Sequence, residues 1–173
     1  QDALDDDDVQ GFHPDTLKRR LKRVLERAGV SGPAIGGLEA DFHPEVMKWI
    51  PHFHILCFGE QPRIESMRTT LLKKTTNIYP DRKPRPMLIQ KLNDIHEQVS
   101  YLFKSYWTER RRFETSNGMR TKKYSLCKKR SAMALLAMHR AGFAGLLFSY
   151  KIPRSGHPFS KLLSRQRTNG GDG

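Results

Sequence analysis

His52 and His54 lie in the segment Trp49-Ile50-Pro51-His52-Phe53-His54-Ile55-Leu56-Cys57-Phe58, whose apolar character predicts a strand. A strand has a side-chain period of two, so the two imidazoles share one side of the sheet while Phe53 and Ile55 enter the packing on the other. Imidazole is the commonest metal ligand, and two side by side can hold one ion. A hard cation such as magnesium or manganese wants oxygen ligands as well. Just upstream, Ile35-Gly36-Gly37-Leu38-Glu39-Ala40-Asp41-Phe42-His43 alternates as a second strand with Glu39 and Asp41 on one face. A hairpin through Pro44 to Ile50 sets one of those carboxylates beside the imidazoles. His43 reads as a loop residue that opens the turn before Pro44.

Downstream, Asn93 to Trp107 predicts a helix with Asn93 as N-cap and Asp94 and Glu97 loading its first turn with negative charge. At ~100° per residue, Ile95, Val99, Leu102, Phe103 and Tyr106 fall in an apolar stripe ~100° wide, while Glu97, Tyr101 and Lys104 cluster within ~60° on the opposite side. Glu97 and Lys104 each lie one turn from Tyr101, so all three can act on one phosphate. Tyr106 belongs to the core stripe, which leaves Tyr101 as the candidate nucleophile. A phenol has an unperturbed pKa near ~10 and attacks phosphorus poorly at neutral pH unless the developing charge is stabilised. A cation on His52 and His54 would polarise the phosphate, and Lys104 would neutralise it or the phenolate. Because tyrosine attack conserves a phosphodiester bond, the chemistry suits nicking and religation better than hydrolysis.

The His pair followed by this helix resembles the HUH endonucleases, and within them the rolling-circle replication initiators of bacterial plasmids and related elements. In that family a Pro-His-Phe-His strand precedes a helix bearing Tyr-x-x-Lys, matched here at His52, His54, Tyr101 and Lys104. The resemblance covers roughly residues 12 to 154. It implies Glu39 as third metal ligand, since an acidic residue precedes the His strand there in a Gly-x-x-Glu setting, here Gly36-Gly37-Leu38-Glu39. It implies magnesium or manganese as the ion and Glu97 as base for a water in a terminating hydrolysis. It implies an α+β fold with an antiparallel sheet flanked by helices and a ferredoxin-like, RRM-like core. Expected partners are single-stranded or hairpin origin DNA and a host helicase. The chain departs from the family at its start: initiators open with an apolar, Thr-rich strand, and residues 1 to 13 contain none. Either that strand lies upstream of Gln1 or another segment, such as Phe143 to Ile152, completes the sheet. Ile50 also stands where a further histidine is common.

Composition agrees with a polyanionic partner. The chain has 173 residues and a net charge of +13, long enough for one core and short for two. Basic residues gather after the tyrosine helix as Arg110, Arg111 and Arg112, then Arg120, Lys122 and Lys123, then Lys128, Lys129 and Arg130. Tyr106, Trp107, Phe113 and Tyr124 are interleaved with them, which suits backbone contacts combined with stacking on unpaired bases. Arg110, Arg111, Arg112, Lys122, Lys123 and Trp107 are the predicted DNA contacts.

The remaining segments read as scaffold. Asp15 caps a helix with Leu17, Leu21, Val24, Leu25 and Ala28 on its apolar face, ended by Gly29. Pro62 to Thr76 predicts another helix, Met87 to Lys91 a short strand, Ser131 to Ala141 a helix stopped by Gly142, and Phe143 to Ile152 a strand. Residues 1–11, which include the aspartates at 2 and 5–8, read as an acidic disordered segment, and residues 155–173 as a basic flexible tail. Cys57 and Cys127 are too few and too isolated for a zinc ribbon. Without an apolar run near ~18 residues or a signal-like leader, a cytoplasmic protein is expected. A transposase or relaxase of the same superfamily is the alternative enzyme. A basic nucleic-acid-binding domain without catalysis is the alternative from another class.

Overall fold

The computed structural model describes residues 3–75, 78–79, 85–102, 104, 106–116 and 118–152. They form an α+β fold built on one sheet. Its elements in chain order are α1 (Asp6–Gln10), α2 (Pro14–Arg27), β1 (Ala34–His43), β2 (Lys48–Cys57), α3 (Gln61–Leu72), α4 (Ile95–Leu102), β3 (Thr108–Thr115), β4 (Gly118–Tyr124), α5 (Lys128–Leu146) and β5 (Leu147–Tyr150). No helix among the described residues is long and apolar enough to cross a membrane.

The strand β1 is the hub. On one edge it pairs antiparallel with β2 along its whole length. Its other edge is shared: β5 pairs antiparallel with Ala34 to Gly37, and β3 pairs parallel with Asp41 and Phe42. The sheet is therefore mixed, where an antiparallel one was expected. A parallel neighbour needs a long crossover, and the chain between β1 and β3 supplies it through β2, α3 and α4. The segment 143–152 does add a strand, as one of the two sequence alternatives required, but only Leu147 to Tyr150 are extended. Pro51 is tolerated because β2 is an edge strand, with β1 as its neighbour.

Alternation along β1 and β2 divides the sheet into an apolar and a polar face. Leu38, Ala40, Phe42, Trp49 and Phe53 point to the side covered by α1 and α5, where Val9, Phe12, Met133, Ala134 and Ala137 complete a core cluster. A second cluster joins Val24 and Leu25 of α2, its C-cap Ala28 and Met67 of α3 to Ala34, Phe148 and Tyr150. Trp107 is only 4% exposed and belongs to the first cluster, its ring 6.0 Å from Phe12 and 5.9 Å from Trp49. It holds β3 to the core and presents no ring for base stacking, which corrects its assignment to DNA.

Several local expectations change. Residues 3–11 are ordered: Leu4 bridges Trp49, α1 follows, and Val9 is fully buried. The aspartates there act as anchors, Asp6 accepting from the Trp49 indole at 2.8 Å and Asp5 pairing with Lys48 at 2.5 Å. His43 is the buried last residue of β1 instead of a loop residue, so the hairpin turn shortens to residues 44–47. Residues 87–91 are not a strand. Pro14 opens α2 with His13 as N-cap, while Asp15 pairs with Lys18 in the first turn at 3.1 Å. Gly142, at φ 66°, interrupts α5 where a stop was expected. The predicted tail, residues 155–173, lies outside the described residues.

Candidate metal centre and tyrosine

The polar face of the β1–β2 hairpin carries the first half of the site. Register sets Glu39 directly opposite His52 and Gly37 opposite His54, so one carboxylate and two imidazoles share one side. Glu39 Oε2 lies 3.9 Å from His52 Nε2 and 3.7 Å from His54 Nε2, and one ligand atom from each of the three lies within 4.8 Å of the others. Glu39 is 2% exposed. Both of its carboxylate oxygens and His54 Nε2 are buried without a hydrogen-bond partner. Buried polar atoms almost always find hydrogen-bond partners, and an ion coordinated by these oxygens and imidazole nitrogens would supply what they lack. The group fits a metal ion.

Electrostatics suit these side chains to a metal ion. Burial pushes the His54 imidazole down to about 4, helped by His52 and Lys123 nearby, and burial also lowers His52. Both rings are then neutral at pH 7 with lone pairs free for a metal. Burial raises Glu39, against the opposing pull of Lys104 and Lys123. Lys104 Nζ sits 3.5 Å from Glu39 Oε2 as its counter-ion.

Asp41, the other acidic candidate, is already occupied. Arg110 Nε donates to Oδ2 at 2.9 Å with Nη2 in ion-pair contact 2.8 Å from the same oxygen, and the Thr108 hydroxyl donates to Oδ1 at 2.5 Å. Burial would raise this carboxyl, but His52, Thr108, Lys123 and Arg110 together hold it below its ordinary value. Its work is to bind β3 and β4 to β1. Arg110, expected on DNA, is thereby engaged within the sheet.

The second half comes from α4. The helix is shorter than the sequence suggests, ending at Leu102, and its cap is Asp94, whose Oδ1 accepts from the Glu97 amide at 2.9 Å. Asn93 is not the cap, because the first helical residue is Ile95. The Tyr101 ring packs edge-on against His54, centroids 4.8 Å apart, and is 41% exposed. Lys123 Nζ on β4 donates to the Tyr101 hydroxyl at 2.9 Å and lies 3.9 Å from Asp41. Burial pulls that ammonium down, but the Tyr101 hydroxyl and Asp41 outweigh it and hold it above its ordinary value. Lys104 follows the end of α4 and reaches the same spot by a different route from a helix face, its Nζ 5.6 Å from the Tyr101 ring centroid.

Other expectations fare differently. Tyr106 is exposed instead of core, with Lys104 Nζ 4.1 Å over its ring. Ile95 is exposed too, and Leu102 is the buried residue of α4. Glu97 is exposed, and among the described residues no hydrogen bond or ion pair links its carboxylate to Tyr101 or the triad. Arg112 lies over Tyr79, at 4.9 Å from the ring centroid, with its backbone N–H donating to Glu45 at 2.5 Å. Sequence reasoning placed Lys123 on DNA and missed its contact with Tyr101. The signal was the pair of alternating runs Thr108 to Thr115 and Gly118 to Tyr124, close enough in sequence to pair as a hairpin, whose register sets Lys123 opposite Arg110. Gly37 was also missed as a packing residue. Its bare Cα faces the Leu102 carbonyl, so the end of α4 can lie directly on β1. Comparison with protein-family models, curated proteins and solved structures finds no match.

Proposed function

We propose that this chain nicks and rejoins single-stranded DNA, with Tyr101 as nucleophile and a magnesium or manganese ion on Glu39, His52 and His54. The observation that carries the reading is the seating of the Tyr101 ring against His54 while Lys123 donates to its hydroxyl. A tyrosine that only packs has no need of a cation at its oxygen beside an unsatisfied carboxylate and imidazole pair. A cation bound there supplies charge that stabilises the scissile phosphate as it becomes more negative. Tyr101 Oη attacks phosphorus, the bond to the 3′ oxygen breaks, and the 5′ phosphate is joined to the phenol. The phenolic proton passes to solvent, and the leaving oxygen takes one up to become a free 3′ hydroxyl. Lys123 and Lys104 offset negative charge on the phenol oxygen and the phosphate.

That 3′ hydroxyl can prime synthesis, and the phosphotyrosine conserves the bond for rejoining. Together with the HUH resemblance, this supports initiation of rolling-circle replication at a single-stranded or hairpin origin of a plasmid or mobile element, with a host helicase opening the duplex. Glu97, one turn before Tyr101, serves as base for water in the terminating step. The test is a denaturing gel of the protein with labelled single-stranded DNA and manganese. A covalent adduct that disappears in Tyr101→Phe and His52→Ala is expected. Tight binding by the wild-type chain without any adduct would refute the reading in favour of a non-catalytic binding domain.

A further inference from the structure

The β3–β4 ribbon divides its basic residues between two faces, and only one of them looks onto the site. Register pairs Arg110 with Lys123 and Arg112 with Thr121, and these side chains share the face of Asp41 and Tyr101. The intervening pairs are Glu109 with Tyr124, Arg111 with Lys122 and Phe113 with Arg120, and they point the other way. On this outer face Arg111, Phe113, Arg120, Lys122 and Tyr124 are all exposed.

Like charges directly opposite across an antiparallel pair are destabilising. On the inner face, Asp41 offsets the Arg110–Lys123 pair. On the outer face, the counter-charge is Glu109 at the ribbon's base, bound to Arg111 at 2.5 Å, against three cations. The excess positive charge stands beside two exposed rings. The Arg111 guanidinium lies 5.0 Å from the Tyr124 centroid and Lys122 Nζ 5.8 Å from it. At the rise of a strand, Phe113 and Tyr124 stand roughly 13 Å apart along the ribbon, with the Arg111–Lys122 pair between them. Rings spaced along a row of cations are the pattern that takes bases on the rings and phosphates on the cations. A duplex hides its base faces and has no use for the rings.

We infer that the outer face of the β3–β4 ribbon binds single-stranded DNA, separately from the tyrosine site, through stacking on Tyr124 and Phe113 and phosphate contacts to Arg111, Lys122 and Arg120. The choice of DNA rests on the nicking activity proposed above. A strand leaving the site therefore has a second place to be held, on the far side of the same ribbon.

The test is fluorescence anisotropy of a labelled thymidine 30-mer with the full chain in chelator, where no metal-dependent cleavage occurs. The triple change Arg111→Gln, Lys122→Gln, Tyr124→Ala should weaken binding at least about tenfold and reduce the log–log salt slope by about 1.4, for two lost phosphate contacts on a single strand. Tyr124→Ala alone should weaken thymidine binding several-fold and leave heparin, a polyanion without bases, unaffected. An unchanged affinity and slope, equal losses for heparin and thymidine in Tyr124→Ala, or a loss confined to duplex DNA would each overturn the inference. If the triple variant fails to unfold cooperatively, the single changes Arg111→Gln and Tyr124→Ala decide it by the same criteria. Binding losses without any wild-type adduct would leave this face standing and remove the nicking activity. An adduct with unaltered variant binding would do the reverse.

Discussion

Gly37→Ala probes how the tyrosine is brought to the Glu39, His52 and His54 group. A Cβ at this position would lie 2.3 Å from the Leu102 carbonyl oxygen, whereas real Cβ contacts essentially never fall under 3.0 Å. The obstacle is backbone and cannot rotate away, so the end of α4 must retreat by about 0.7 Å or more, as over-packed contacts do. Tyr101 is the residue before Leu102 and moves with it. A misplacement of ~1 Å at reacting groups costs on the order of a hundredfold in rate. The triad sits on β1 and β2 and does not depend on α4 for its register. The expected outcome is adduct formation slowed about a hundredfold in single-turnover gels at saturating DNA, with manganese affinity by calorimetry within about threefold of wild type. An adduct rate equal to wild type would refute the argument that Gly37 seats the helix. A matching loss of manganese affinity would show that the strand, not the helix, gave way.

Lys123→Ala removes the donor to the Tyr101 hydroxyl, and a half-exposed charge-assisted bond of ~1–2 kcal/mol predicts adduct formation slower by about 5- to 30-fold. Lys123→Arg should recover part of this, and a change in DNA affinity alone would point to a phosphate contact instead. Lys104→Met takes away the ammonium 3.5 Å from Glu39 and should tighten manganese binding by about tenfold in calorimetry, because the ion no longer competes with it. Weaker binding would mean that Lys104 orders the carboxylate. Burial holds His43 down to about 4 against 6.5 when unfolded. The unfolded chain therefore binds the extra proton first, and stability is complete above about pH 6.5 and falls as pH drops towards 4, by about 3 kcal/mol from this residue. Urea unfolding in chelator at pH 7 and pH 5 should show the decline, and His43→Gln should make it shallower; an equally steep decline would assign it to other groups.

Much of the site could be read from periodicity. Alternation of two fixed His52 and His54 on one side and set Glu39 and Asp41 on a matching face. These are local properties, decided by bond geometry over a few residues. Where the helix ends was harder to read, because the apolar spacing continues to Tyr106 while Lys104 and Tyr106 are not helical. Trp107 shows why composition misleads: an aromatic among arginines resembles a stacking residue until Phe12 and Trp49, far away in sequence, enclose it.

The sequence by itself determined which residue types could hold a metal and attack a phosphate, and on which face of the two hairpin strands the histidines and carboxylates stand. The tertiary structure set Glu39 apart from Asp41, since Arg110 and Thr108 satisfy Asp41 while the Glu39 oxygens, with Lys104 at 3.5 Å, have no hydrogen-bond partner and lie among the imidazoles. It also moved Lys123 from a basic cluster to the tyrosine oxygen and gave Gly37 its purpose. Side-chain direction within an element follows from the local backbone. Contact between elements depends on strand register, a parallel pairing and a crossover from β1 to β3, which no local period encodes.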